Sequence, residues 1–400
     1  MTTATPSFDS TLRTRLVFGP GCLDRLGELA AGLGGHRVLL VTDPGIVRAG
    51  HASRAEALLR AAGLEVAVFD AVRENPTTLD VDRGLEAARA ASVDLFVGLG
   101  GGSSIDTAKG VNFLLTQGGR MRDYQGVGKA TRPMLPLIAI PTTAGTGSEC
   151  QSAALIADEE THHKMACLDP KAAARIALLD PLLTVSQPRR VTAQTGIDAL
   201  VHAVEAAVTT RRTVWSGLFA REAFRLCAGA LETVLANPGD LEARGRMLLG
   251  AALAGTAIEN SMLGAAHSAA NPLTAQFGVV HGAAVGLMIP GVIRFNAALP
   301  EVQALYADLV AAAGGGHGLD GPEAASGASC GVAAAGEVLA RRFEAWLGIA
   351  GLPTTLAEAG VDPGSRIPLL AQQAARQWTA TFNPRPIAAP DFERLYGEAL

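Results

Sequence analysis

The segment DLFVGLGGGSSIDTAK, residues 94–109, contains the transition that decides the fold of the N-terminal half of the chain. After its first residue, a short apolar run bounded by glycine predicts a buried β-strand. Glycines 100–102 then allow a tight turn, and we expect a helix to begin near Ser103 or Ser104. A buried strand that turns directly into a helix is typical of a parallel sheet covered by helices.

Three further apolar runs near this segment have the same character. RVLLVT, LEVAVF and PLIAIPTT occupy residues 37–42, 64–69 and 136–143, and the stretches between them leave room for crossover helices. Their alternation predicts an α/β domain over residues 1–185, in which helices cover both faces of an open parallel sheet.

The remainder of the chain has a different pattern. After Pro181, long Ala- and Leu-rich segments with helical spacing replace the strand pattern, which predicts an all-α domain over residues 186–400. One glycine-rich stretch within it, GGGHGLDGPEAASGASCG at 314–331, is expected to form a surface loop or insertion.

The composition restricts the class of protein. With 400 residues, of which 48% are hydrophobic and 18% charged, the chain is long enough for two globular domains. A net charge of −5 without a cluster of Lys and Arg argues against a nucleic-acid partner. Five widely spaced cysteines, and no signal-peptide pattern or long apolar run, predict a cytoplasmic protein without a membrane span.

The glycine turn also has the position of a phosphate-binding site. Gly101 and Gly102 let the backbone approach a diphosphate closely, and the N–H groups at the helix start, around Ser103, favour an anion. The spacing differs from the usual dinucleotide-binding Gly-x-Gly-x-x-Gly, so a structural turn without a ligand remains an alternative.

A second loop rich in hydroxyl groups follows the last of the predicted strands. PTTAGTGSE, residues 141–149, offers the side chains of Thr142, Thr143 and Thr146. Ligands of open parallel sheets bind beyond the carboxyl ends of the strands, so the two loops together indicate one nucleotide ligand.

Asp43 follows the predicted strand at 37–42. A carboxylate there can accept hydrogen bonds from the ribose hydroxyls of an adenosine and repels a 2′-phosphate, which favours NAD over NADP. The alternative is that Asp43 opens the Asp43-Pro44-Gly45 turn for structural reasons alone.

Four polar residues in the second half form a candidate metal site. Asp198 and His202 lie four residues apart in a segment with helical composition, so their side chains share one face. His267 and His281 follow in apolar surroundings, one on a helix and the other at the start of the next. One carboxylate and three imidazoles suit Fe²⁺ or Zn²⁺, although an isolated Asp-x-x-x-His is often only a polar pair on a helix.

Several motifs in the same order resemble the iron-containing, or group III, alcohol dehydrogenases over nearly the whole chain. GGGSSIDTAK and PTTAGTGSE resemble the cofactor loops of the family, and GIDALVHAVE and HGAAVGLMIP its first and last metal-binding segments. FNPRPI at 382–387, with Asp391 and LYGEAL after it, is similar to the C-terminal signature of the family. The resemblance implies a Rossmann-like N-terminal domain and an all-α C-terminal domain, the fold shared with dehydroquinate synthase-like enzymes.

The resemblance also implies an activity and a set of site residues. The activity is that of a metal-dependent, NAD(P)-linked alcohol dehydrogenase or aldehyde reductase. It transfers a hydride between C4 of the nicotinamide and a small alcohol or aldehyde held at the metal. Asp198, His202, His267 and His281 match the metal ligands, with Fe²⁺ favoured over Zn²⁺, and a homodimer or larger assembly is implied. The positions that match the cofactor site are Asp43, Asn75, Gly101, Gly102, Ser103, Asp106, Thr142, Thr143, Thr146, Lys164 and Leu183.

One position departs from the pattern of the family. Many members carry a further histidine four residues after the third ligand, near the reacting carbon, where this chain has Asn271. Asparagine forms hydrogen bonds but relays no proton at neutral pH, so the proton path and the substrate are left open. Asn271 and Phe277, with Trp215 or Phe219, are candidates for the substrate pocket.

Two other functions fit part of the pattern. The first is an NAD-using, metal-dependent cyclase or lyase of the same superfold, which would produce no net NADH. The second is a non-enzymatic nucleotide-binding protein that forms assemblies, which the four ligand positions and both cofactor loops make the weaker alternative.

Overall fold

The computed structural model describes residues 7–161, 163–314, 334–362 and 364–400. The chain divides into two compact units. The sheet unit is Thr11–Gln187, and the helical unit is Pro188–Leu400 with the few described residues before Thr11. Apart from Gly314, the predicted loop at 314–331 lies outside the described residues.

The sheet unit contains a large and a small sheet, formed by the strands β1 (Arg15–Phe18), β2 (Arg37–Val41), β3 (Glu65–Phe69), β4 (Leu95–Gly100), β5 (Gly126–Val127), β6 (Leu137–Pro141), β7 (Ala153–Ala157), β8 (Lys164–Leu168) and β9 (Ile176–Leu179). The large sheet has six strands, all parallel, in the order β1-β9-β6-β4-β2-β3. The small sheet has three strands in the order β5-β8-β7. The α-helices are α1 (Leu26–Gly32), α2 (Pro44–Arg48), α3 (His51–Ala61), α4 (Thr78–Ala90) and α5 (Gly102–Gln117).

Both faces of the large sheet are covered, which explains its continuous apolar strands. Every residue of β4 is buried, and side chains alternate between two separate apolar clusters. Phe96 packs in the cluster that includes residues of α4 and α5, whereas Leu95 and Val97 pack in the one that includes residues of α1 and α3. The predicted parallel sheet with helices on both faces is therefore confirmed.

The sheet is larger than the sequence pattern indicated. β1 and β9 add an edge to it, and β7 and β8 form an antiparallel pair in the second sheet. None of these strands was among the predicted ones. β1 and β9 have only four residues each, and so short a run has too little periodicity to be distinguished from a loop.

The order of the strands reverses between β2 and β4, because β3 lies on the far side of β2 and β6 on the far side of β4. At such a switch point the loops after neighbouring strands turn to opposite faces and leave a crevice. Asp43 follows β2 and the glycine turn follows β4, so two of the predicted cofactor segments flank this crevice.

The helical unit contains the remaining α-helices. They are α6 (Arg189–Val208), α7 (Val214–Ala228), α8 (Leu231–Ala236), α9 (Leu241–Glu259), α10 (Ala265–Phe277), α11 (His281–Asn296), α12 (Pro300–Ala312), α13 (Ala335–Ala350), α14 (Ile367–Ala375) and α15 (Ala389–Glu398). The predicted all-α second part is confirmed. Among the described residues, none of the helices has the length and apolar character needed to cross a membrane.

Helix α6 is the central helix of this unit and is buried over most of its surface. It packs against α7, α9, α11 and α13, among others. Its neighbour α11 approaches closely at two glycines. A Cβ atom on Gly282 would lie 2.2 Å from the carbonyl oxygen of Gln194, and one on Gly286 would lie 2.8 Å from Ile197. The absence of side chains there sets the distance between α6 and α11.

The Gly282→Ala variant tests this close approach. Its methyl group would collide with backbone of α6, which cannot rotate away, so we expect a loss of about 1–3 kcal/mol in the free energy of unfolding. The measurement is chemical denaturation followed by far-UV circular dichroism.

The matched control is Gly348→Ala on α13, where an added Cβ meets nothing within 4 Å. There, the better helix propensity of alanine should stabilise the protein by up to about 1 kcal/mol. Equal effects of the two substitutions would contradict the role assigned to Gly282.

Candidate metal centre and cofactor loops

One face of α6 carries three ionisable side chains. Asp198, His202 and Glu205 follow each other at spacings of four and three residues, which places them in a row on a helix. All three are buried, with exposed fractions of 4%, 5% and 3%. Burial of three ionisable groups is costly unless each has a partner, so the row indicates a site in which these side chains contact other polar groups.

The other two histidines come from neighbouring helices. His267 lies in the first turn of α10, and His281 is the first residue of α11. The Nε2 atoms of His202 and His267 both lie 3.5 Å from Oδ1 of Asp198, and that of His281 lies 3.8 Å from it. The rings of His202 and His267 are stacked with centroids 4.8 Å apart. Three imidazole nitrogens therefore converge on one carboxylate oxygen.

Two atoms at the centre of this group have no hydrogen-bond partner among the described residues. They are Oδ1 of Asp198 and Nε2 of His267, both fully buried. Ligand atoms of Asp198, His267 and His281 all lie within 4.8 Å of one another. Two donor atoms that each lie about 2.1 Å from a shared cation in tetrahedral coordination are about 3.4 Å apart. The distances of 3.5–3.8 Å from Oδ1 of Asp198 to the three Nε2 atoms are close to that value. The donor set and its unpartnered atoms fit a divalent cation.

The close approach of these charged groups shifts the pKa values of Asp198 and His267. Burial alone would raise the pKa of Asp198, but the charges of His202 and His281 and the contact with His267 hold it well below its usual range. Burial alone would lower the pKa of His267, but the carboxylates of Glu205 and Asp198 outweigh it and raise the pKa to about 9. The site therefore favours positive charge, as a cation-binding site does.

Sequence reasoning missed Glu205. Its Oε2 lies 2.5 Å from Nδ1 of His267, the ring nitrogen that faces away from Asp198. A signal was present, because Glu205 continues the spacing of Asp198 and His202 along one helix face. The bond to His267 spans 62 residues, however, and nothing in the local sequence indicates it.

Asn271 lies one helical turn after His267 on α10. Its side-chain amide donates to Oε1 of Gln377 at 3.1 Å, so Gln377 is a second residue that sequence reasoning missed. The other pocket candidates lie elsewhere on the helices. Phe277 ends α10 beneath the guanidinium of Arg366, and Trp215 packs edge-on against Phe219 within α7.

In the sheet unit, the two predicted cofactor loops meet. A Cβ atom on Gly102 would lie 2.8 Å from Thr146, and one on Gly101 would lie 3.4 Å from Thr143. Thr142 is buried, and its N–H donates to the carbonyl of Gly100. The glycines therefore let the loop after β6 close against the start of α5, where helical N–H groups are left for an anion.

Asp43 has the structural role considered above. Its Oδ1 accepts hydrogen bonds from the N–H groups of Gly45 and Ile46, which caps α2. Its Oδ2 lies 3.4 Å from Oγ of Ser104, beside the glycine turn. Asp43 therefore caps α2 with Oδ1, while Oδ2 lies at the switch point of the sheet.

The remaining predicted cofactor residues occupy different environments. Asp106 is buried and accepts hydrogen bonds from Oγ of Ser148 and N–H of Leu155. Leu183 packs within an apolar cluster of the large sheet. Ser103 lies in the first turn of α5 and is partly exposed.

The segment just after Asn75 and the strand that begins at Lys164 both pair with the end of β7. Asn75 is exposed in a left-handed conformation with φ 53°. Thr77 bridges to Ala157, which pairs in register with the exposed Lys164.

Comparison with known proteins identifies the family. The family described as "Iron-containing alcohol dehydrogenase" matches residues 13–181, and "Fe-containing alcohol dehydrogenase family, C-terminal" matches residues 192–400. The NAD-dependent methanol dehydrogenase of Bacillus methanolicus is 34% identical over 385 residues, 96% of this chain and 97% of the relative. The 1,3-propanediol dehydrogenase of Klebsiella pneumoniae is 34% identical over 98% of this chain and 99% of the relative.

A solved structure supports the same assignment. The crystal structure of a 1,3-propanediol oxidoreductase superposes with a TM-score of 0.92 at 31% identity, covering 99% of this chain and 100% of that one. Fold, motifs and relatives agree over both units. The chain belongs to the iron-containing alcohol dehydrogenase family and is a metal-dependent alcohol dehydrogenase or aldehyde reductase that acts on CH–OH groups.

Proposed function

We propose that Asp198, His202, His267 and His281 bind one divalent cation, Fe²⁺ in preference to Zn²⁺, at which a small alcohol or aldehyde reacts. The observation that carries this proposal is the buried Oδ1 of Asp198, which has no hydrogen-bond partner among the described residues and faces three imidazole nitrogens at 3.5–3.8 Å. When bound there, the cation supplies Lewis-acid polarisation of the substrate oxygen, and a nicotinamide supplies or accepts the hydride.

The ligand types support iron or zinc over harder cations. Imidazole suits Fe²⁺ and Zn²⁺, whereas Mg²⁺ and Ca²⁺ prefer oxygen ligands. The preference for iron rests on the family description alone, since one carboxylate with three imidazoles serves both metals. The role of the protein is to keep the four donors aligned, three of them buried and His281 partly exposed.

We further propose NAD as the cofactor, with its diphosphate at the start of α5. The residues assigned to it are Asp43, Asn75, Gly101, Gly102, Ser103, Asp106, Thr142, Thr143, Thr146, Lys164 and Leu183. The close packing of Gly101 and Gly102 against the threonine loop supports the diphosphate site. Asp106 and Leu183 are buried, so they support the site by holding its loops in place.

The metal proposal is tested by elemental analysis of purified protein and by NADH formation with short alcohols and diols. The assay is run before and after chelation and after repletion with Fe²⁺ or Zn²⁺. We expect activity to disappear with the metal and to return with it. The His267→Ala variant should lose metal and turnover together, because it removes a ligand and leaves Asp198 poorly compensated.

Other outcomes would redirect the proposal. Turnover by a metal-free His267→Ala protein would exclude the assigned metal chemistry. Bound metal without net NADH from any alcohol would instead favour the cyclase or lyase reaction of the same superfold.

The preference for NAD is tested by Asp43→Asn. Asparagine keeps the cap on α2 but removes the charge that repels a 2′-phosphate. We expect the ratio of kcat/KM for NADP to that for NAD to rise about tenfold or more, equivalent to at least about 1.4 kcal/mol. An unchanged ratio would mean that Asp43 serves only the turn.

Asn271 is assigned to the substrate side of the metal, where its amide hydrogen bond to Gln377 holds it in place. Because neither amide titrates, the Asn271→His variant should add an ionisation to the pH profile of kcat/KM for alcohol oxidation. An imidazole with a pKa near about 6.5 is protonated at lower pH, where it accepts no proton and repels the cation. The variant should thus lose activity as pH falls through that value. A profile parallel to that of the native protein would place residue 271 away from the reacting groups.

The assembly and the location of the protein remain predictions. A homo-oligomer is supported by the edge strand β1, on which Leu16 and Phe18 are exposed with fractions of 37% and 45%. Such an edge is a template for pairing with another strand. A cytoplasmic location is supported by the free thiols of the described cysteines.

A further inference from the structure

Glu205 uses both of its carboxylate oxygens on one short segment of α10. Oε2 lies 2.5 Å from Nδ1 of His267, and Oε1 accepts the N–H of Ala266 at 2.7 Å. The side chain is 3% exposed, so these two bonds replace water for a buried charge. Such charge-assisted hydrogen bonds have defined geometry and are stronger than neutral ones.

Helix α10 depends on this contact because it has no cap of its own. Its N-cap residue is Gly264, which has no side chain to accept the first N–H groups. Asn383 accepts the N–H of Ala265 at 3.3 Å, and Glu205 accepts the next one. A Cβ on Gly264 would lie 3.1 Å from Oε1 of Glu205 and 3.2 Å from Oδ1 of Asn383, so a larger residue there would crowd both acceptors.

The same contact determines which nitrogen of His267 carries a proton. A carboxylate only accepts hydrogen bonds, so Nδ1 of His267 must be the donor. In a neutral ring, the lone pair is then on Nε2. That nitrogen lies 3.5 Å from Oδ1 of Asp198 and has no hydrogen-bond partner among the described residues.

We propose that Glu205 is a positioning residue for the metal centre: it holds His267 in the tautomer whose Nε2 faces the cation and fixes the start of α10 on α6. The inference rests on the proposed function, since it assumes a cation at His267. It adds a residue outside the ligand set. It also links the metal affinity to a helix cap, because one carboxylate serves both.

Glu205→Gln tests the hydrogen bond to His267 selectively, because glutamine has the same shape as glutamate but carries an NH₂ group in place of one oxygen. The amide oxygen can still accept the N–H of Ala266, so the cap is retained. The NH₂ group then faces Nδ1 of His267, which must become an acceptor, and the ring proton moves to Nε2, where it blocks the cation. We expect Zn²⁺ affinity to fall about 10- to 100-fold, as for other partners of metal-bound histidines.

Glu232→Gln in the same unit is the matched control. Glu232 accepts a hydrogen bond from Nε1 of Trp346 at 3.1 Å and has no part in the metal site. The readout is Zn²⁺ affinity of the full chain at constant pH, by competition with a chromophoric chelator. Thermal unfolding of the metal-free proteins is measured beside it. The expected result is weaker Zn²⁺ binding for Glu205→Gln only, with similar unfolding temperatures for both variants.

Nuclear magnetic resonance of the Zn²⁺-loaded native protein gives a second test that needs no variant. With ¹⁵N-labelled histidine, the His267 ring should show a proton on Nδ1 and zinc on Nε2. A proton on Nε2, or zinc on Nδ1, would overturn the inference. This measurement also decides the case if Glu205→Gln does not fold.

The outcomes separate this inference from the proposed function. If the native protein binds Zn²⁺ and Glu205→Gln binds it equally well, Glu205 has no positioning role and the metal site stands. If the native protein binds neither Zn²⁺ nor Fe²⁺, the proposed metal site is wrong, and the role of Glu205 falls with it.

Discussion

The charge of Asp198 inside the helical unit is the constraint on which the candidate site depends. A carboxylate that is 4% exposed is unstable without partners, and three imidazoles face it. These imidazoles come from α6, α10 and α11, so the requirement of one charge connects three helices. A second carboxylate, that of Glu205, binds the opposite ring nitrogen of His267. The order of groups through His267 is carboxylate, imidazole, carboxylate, which orients that ring as metal sites require.

Close helix packing makes this convergence attainable. The chain has 46 glycines and few aromatic residues, and several of the glycines lie where backbone meets backbone. Gly282 follows the proposed ligand His281 directly and lies against Gln194, four residues before the proposed ligand Asp198. Gly264 precedes α10, the helix of His267, and leaves room for Glu205. Small residues beside the proposed ligands thus bring the donor atoms to within a few ångströms of one another.

The sheet unit uses buried charge in a related way. Lys109 is fully buried on α5, and its ammonium donates to Oγ and the carbonyl of Ser148 and to the carbonyls of Gln151 and Ala153. Asp106 accepts from the same Ser148. These bonds attach the segment after β6 to the helix that follows the glycine turn. The buried side chains of Lys109 and Asp106 therefore fix the spacing of the two predicted cofactor loops.

The sequence by itself determined the class of each unit and the chemical types at the site. Four of the strands were predictable from their apolar runs, and the four residues of the proposed metal site stood out by their chemistry and their apolar surroundings. It did not reveal β1, β9 or the second sheet, because short strands are defined by their partners. Tertiary structure alone decided that three Nε2 atoms face one oxygen, that Glu205 bonds His267 and that Asn271 bonds Gln377. The last two contacts join residues 62 and 106 positions apart. These contacts depend on which helix faces meet. Packing at glycines such as Gly282 determines the facing surfaces, whereas local helix propensity does not.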